Sequence, residues 1–112
     1  MTEAMKIIDI WINCPDEAVA EEISEHLLGG RLVAASNIYP PIRSTYRWEG
    51  QIERKTEVPL RLRTRAALYE RVIEQVKALH PYQVPAILGV EVAYVNDDYR
   101  DWVMAETEGA RR

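Results

Sequence analysis

The stretch WEGQIERKTEVPLRLR, residues 48–63, decides the fold. Glu49-Gly50 reads as the turn of a hairpin, with a return strand from Gln51 to about Arg63. On that strand Val58, Leu60 and Leu62 share one face, while Gln51, Glu53, Lys55, Glu57, Pro59, Arg61 and Arg63 occupy the other. Such alternation marks an antiparallel sheet with one wet side. Before the turn, Arg31 to Trp48 is extended in character but broken by Pro40-Pro41, neither of which can donate to a ladder.

Upstream, Lys6 to Asn13 alternates around Ile8, Ile10 and Ile12, a half-buried strand. Cys14-Pro15-Asp16-Glu17 starts a helix, with proline at its first position and two acids at the positive end of its dipole. Val19, Ile23 and Leu27 form its apolar stripe, and Gly29-Gly30 offers a left-handed stop. Downstream, Leu68, Val72, Val76 and Leu79 mark a second amphipathic helix ended by Pro81. Ile87 to Val95 is a strand with Leu88, Val90, Val92 and Tyr94 on one face. Asn96, with Asp97 and Asp98, caps a last helix docked by Tyr99, Trp102 and Val103, and the tail from Glu108 is expected to fray. The order is β-α-β-β-α-β plus a helix. Two helices with one apolar stripe each are best buried on one face of a four-stranded antiparallel sheet, an α+β, ferredoxin-like arrangement.

Composition agrees with one such domain spanning residues 1–112, with a core of about 6–104. Fourteen Lys and Arg against 18 Asp and Glu give a net charge of -4 with no basic run, which argues against nucleic acid as a partner. No apolar stretch reaches the roughly 18 residues that cross a bilayer, so no membrane partner is expected. A single cysteine, Cys14, excludes an internal disulfide framework and suits the reducing cytoplasm. The residues carry no Ser/His/Asp-type spacing and no Gly-rich phosphate loop, so no catalysis is expected.

The hairpin, about Ile42 to Leu62, is longer than the roughly 5–6 residues per strand that are usual. Its distal half mixes Tyr46, Trp48 and Ile52 with Arg43, Arg47, Glu53, Arg54 and Lys55. A helix-covered sheet cannot bury that extension within one chain, so it is expected to pack on another subunit.

Six stretches then carry a likeness: Asn13-Cys14-Pro15-Asp16, Asn37-Ile38, Tyr46-Arg47-Trp48-Glu49-Gly50, Arg63-Thr64, His80-Pro81-Tyr82-Gln83-Val84-Pro85 and Tyr99-Arg100-Asp101-Trp102. In that order they resemble the CutA divalent-cation tolerance family, from about Lys6 to Met104. The resemblance implies a cytoplasmic homotrimer of ferredoxin-like subunits, similar in fold to the PII signalling proteins, with interlocking hairpins and a link to copper tolerance. Two departures stand out. Ala35 replaces a second cysteine common in the family, and Pro59 and Arg61 interrupt a usually smoother strand, which places Pro59 at a bulge or an unpaired edge.

Copper is the cofactor this implies, with Cys14 and His80 as the candidate ligands of a partial site that neighbouring subunits would complete. The plainer alternatives are that Cys14 is a small buried residue, that His80 satisfies the last carbonyls of its helix, and that His26 is simply solvated. A second candidate is an intersubunit cleft of Tyr46, Trp48, Glu57, Arg63 and Tyr82, which mixes aromatics with paired charges. It suits a PII-like sensor of a small anionic ligand, unless these residues only cement an interface.

Overall fold

A computed structural model describes residues 5–110. Strand β1, Ile7–Cys14, lies at the centre beside β4, Gln51–Arg65, and every pairing in the sheet is antiparallel. On its other side β1 meets β5, Ile87–Glu91. The far flank of β4 is covered by β2, Ala35–Ile38, and then by β3, Ile42–Trp48. Taken as one interrupted strand, β2 and β3 complete the expected βαββαβ order, with the sheet running β2-β4-β1-β5.

Ile8, Ile10, Ile12 and Cys14 of β1 and Val58, Leu60 and Leu62 of β4 point to one face. Two helices close it: α1, Glu17–Gly29, through Ala20, Ile23 and Leu27, and α2, Tyr69–Leu79, through Val72 and Val76. The third helix, α3, Asp97–Glu106, lies across the opposite face, where Arg65 of β4 donates to the Met104 carbonyl and to Thr107 Oγ1.

Several local details depart from the sequence reading. Helix α1 starts at Glu17, two residues after the expected first position at Pro15: Asp16 is the cap, and its Oδ1 accepts the Val19 N–H at 2.9 Å, so Pro15 precedes the helix. Its left-handed stop is not a glycine. Gly30 has φ of -85°, and Arg31 takes φ of 61° instead. The Arg31 N–H bonds to the Leu28 carbonyl and the Leu32 N–H to the Leu27 carbonyl, a Schellman closure that seats Leu32 in the core. The position is set by where Leu32 must land. Arg31 then reaches the end of α3, donating to the carbonyl of Ala105 and, just beyond the helix, to that of Glu108, while Arg71 holds that of Ala110. The segment after Glu108 is therefore tied down as far as Ala110 rather than frayed.

Strand β5 stops at Glu91, short of Val95, because its partner β1 begins at Ile7; the Val92 N–H makes the last bond, to the Ile7 carbonyl. Pro59 sits within a central strand, opposite Asn13, and not at an unpaired edge. The bulge lies across from it. Between Ile38↔Leu60 and Ile42↔Glu57, three residues, Tyr39 to Pro41, oppose Val58 and Pro59. The Pro59 carbonyl accepts from Tyr39 N–H, so its donor-less nitrogen faces the same interruption. His26 is not merely solvated: its Nε2 lies 2.7 Å from Gln75 Oε1, linking α1 to α2.

Candidate functional site

The hairpin turn is Glu49-Gly50, both residues with positive φ (50° and 80°), which matches a tight two-residue turn to the twist of the strands. It fixes the register Tyr46↔Glu53, Ser44↔Lys55 and Ile42↔Glu57, and directly paired residues point to the same face. That face looks onto the loop after α2. Together they enclose a cleft of about 890 Å³ whose walls include Tyr46, Trp48, Glu53, Lys55, Glu57 and Tyr82.

Glu57 is the deepest charged group, 5% exposed. The Tyr82 hydroxyl donates to its Oε2 at 2.9 Å. Burial first, and then this bond to Glu57, pushes the Tyr82 phenol well above its usual range. Lys55 places its ammonium over the Tyr82 ring, 4.4 Å from the centroid, without forming an ion pair with Glu57.

Four of the five expected cleft residues, Tyr46, Trp48, Glu57 and Tyr82, thus line one cavity. Arg63 does not. It forms a two-pronged pair with Asp9, Nε to Oδ1 at 2.7 Å and Nη2 to Oδ2 at 2.9 Å, and stacks near Tyr99 of α3. Bonding to Asp9 holds the guanidinium still more firmly protonated. Sequence reasoning missed Ser44, Glu53 and Lys55 as cleft residues. The signal was available, because the turn and the two-residue period place them beside Tyr46 and Glu57.

Cys14 and His80 are placed for packing. The Cys14 side chain is fully buried, and burial, followed by the nearby charges of Asp16 and Glu57, pushes its thiol up to about 12. His80 Nδ1 accepts the Tyr82 N–H at 3.1 Å, which leaves the proton on Nε2 to be donated to the Asn13 carbonyl at 2.8 Å. Both ring nitrogens are occupied. Among the described residues no group of three or more His, Cys, Asp or Glu side chains is placed to hold a metal ion. A fully buried thiol and an imidazole with both nitrogens hydrogen-bonded do not fit copper ligation.

Residues 8–106 match the family model described as CutA1 divalent ion tolerance protein. The chain belongs to the CutA1 family. It is 42% identical over 102 residues to the divalent-cation tolerance protein CutA of Pyrococcus horikoshii, covering 91% of this chain and 99% of that one. Among solved structures, CutA1 of Oryza sativa superposes with a TM-score of 0.90 at 28% identity, over 97% of this chain and 100% of the other. The CutA of Archaeoglobus fulgidus, described as a periplasmic divalent cation tolerance protein, gives 0.89 at 34% identity, over 91% and 99% of the two chains. These matches span the sheet, both core helices and the hairpin, so the cleft is built on the family's own framework.

Proposed function

We propose that this CutA1 family member acts in divalent-cation tolerance as a homotrimer, without a catalytic step. The observation supporting assembly is the amount of apolar surface one chain leaves in water. Leu88 and Val90 of β5, 57% and 50% exposed, pair with Trp11 and Asp9 on the face turned away from α1 and α2. Ile42, Trp48 and Ile52 of the hairpin are 41%, 37% and 48% exposed. Leaving such surface wet costs about 25 cal/mol per Å². Closed cyclic symmetry covers it without leaving an edge to propagate, and the family resemblance selects three subunits. Sedimentation equilibrium at micromolar concentration is expected to give a trimer. Replacing Arg47 to Ile52 by a short turn is expected to weaken it. A wild-type monomer, or a deletion that stays fully trimeric, overturns the reading.

Copper contributes to this reading only as an ion tolerated. Wild type and the Cys14→Ser/His80→Ala double variant are expected to take up Cu(II) with equal affinity in a calorimetric titration. A clear loss in the double variant would restore both residues as ligands. We assign the protein to the cytoplasm on its lone cysteine, and fractionation of cells tests that assignment. The PII-like alternative, an anion in the cleft, is the weaker one, since Arg63 is engaged elsewhere and Glu53, Lys55 and Glu57 remain as the cleft's charges.

A further inference from the structure

Glu57 is nine-tenths buried and yet has no cation partner among the described residues. The hydrogen bond that its Oε2 accepts comes from a neutral donor, the Tyr82 hydroxyl. Buried carboxylates are ordinarily paired with a cation, since desolvating the charge is expensive. Around it stand three aromatic rings, Tyr46, Trp48 and Tyr82, and a second carboxylate, Glu53. Lys55, the one cation among the described residues that line the cleft, sits on the face of the Tyr82 ring and shows that this wall accepts an ammonium group. The hairpin also sorts its charges by face. Register places Arg43, Arg47 and Arg54 on the reverse side, away from the cleft.

We propose that the cleft is a binding site for a small organic cation, an alkylammonium or guanidinium head that pairs with Glu57 and lies against the rings of Tyr46, Trp48 and Tyr82. The volume, about 890 Å³, falls within the range of roughly 300–1,000 Å³ usual for small-molecule sites. Lys55 is the internal competitor for the same wall. One chain supplies Glu57 and all three rings, and because Trp48 also belongs to the surface that assembly covers, the proposal rests on the trimer reading with a neighbouring copy bordering the cleft.

The test is a calorimetric titration with agmatine, which carries both head groups and no carboxylate, with inorganic phosphate as the opposite-charge control. Sedimentation is run on each sample, so that loss of binding and loss of assembly are read separately. Wild type is expected to bind agmatine and not phosphate. Glu57→Gln keeps an acceptor for Tyr82 and should fold, yet weaken agmatine about tenfold or more, the effect of losing a charge-assisted hydrogen bond. Tyr46→Leu should weaken it about threefold to tenfold by removing one ring. Lys55→Gln should tighten it. Three results overturn the proposal: no agmatine binding by wild type and Lys55→Gln alike, equal affinity in Glu57→Gln, or phosphate binding that depends on Glu57. A fourth does so as well. If agmatine binds only after Arg43, Arg47 and Arg54 are all changed to Gln, the occupant of the cleft is an arginine of a neighbouring copy.

Discussion

Strand β4 has two halves with opposite fates. From Val58 to Thr64 it is paired with β1, and from Leu60 to Arg63 with β2 on its other side as well, and Leu60 and Leu62 are completely buried under α1 and α2. From Gln51 to Glu57 it is paired with β3 alone, beyond the end of β1, and its apolar Ile52 is about half exposed. Alternation along the strand is the same in both halves. What differs is whether the chain supplies a second layer. The proximal half therefore carries the stability of the single subunit, while the distal half carries surfaces that need something else to cover them.

The sharpest test is a matched pair of truncations. Leu62→Ala removes a fully buried side chain between two helices and is expected to cost about 2–5 kcal/mol in urea denaturation at fixed protein concentration. Ile52→Ala is expected to change the stability of an isolated chain by less than about 0.5 kcal/mol, as at other exposed positions, and to act on assembly instead. Equal losses in the two variants would erase the distinction between the halves.

The same contrast explains what could be read in the sequence. The core half was legible, because a two-residue period against two helical stripes leaves one way to bury Leu60, Leu62, Val72 and Val76. The turn was legible because Glu49-Gly50 suits positive φ. Arg63 was misplaced for a reason of length: it shares a face with Glu57 but lies six residues along the strand, about 20 Å away. Its partner Asp9 is distant in sequence, as Gln75 is from His26, and no local pattern reports such pairs. Nor could the glycine preference at helix ends foresee Arg31, whose conformation follows from the long-range seating of Leu32.

Cys14 marks the boundary between the halves, since it pairs with Val58 where β1 ends. Its thiol is raised from 9.0 to about 12 in the fold, chiefly by burial. The native state therefore holds the proton more tightly than the unfolded chain does. Stability from this group is full below about pH 9 and declines as pH climbs from there towards 12. The Cys14→Ala variant is expected to lose less stability over that interval than wild type in parallel denaturation curves. Native wild type should also react with a thiol reagent only as fast as it opens. Rapid stoichiometric labelling at neutral pH would mean that the boundary is open rather than packed.

The smallest expected effect lies at the far end of the proximal half, where Thr64 Oγ1 donates to the Leu32 carbonyl just after the left-handed Arg31. Two contributions oppose each other at Arg31. A residue with a side chain in that conformation costs about 1–2 kcal/mol relative to glycine. Against this, its guanidinium makes two hydrogen bonds, to Ala105 O of α3 at 3.0 Å and to Glu108 O just beyond it at 2.9 Å, each worth about 0.5–1.5 kcal/mol. Arg31→Gly removes both contributions and should move stability by less than about 1 kcal/mol in either direction. Arg31→Ala keeps the backbone cost while losing the bonds, and should be the less stable variant by about 1 kcal/mol. Hydrogen exchange separates the causes: both variants should lose protection in the last turn of α3, while only the alanine variant should also loosen the end of α1. Unchanged protection in α3 would show that Arg31 does not hold that helix to the body of the sheet.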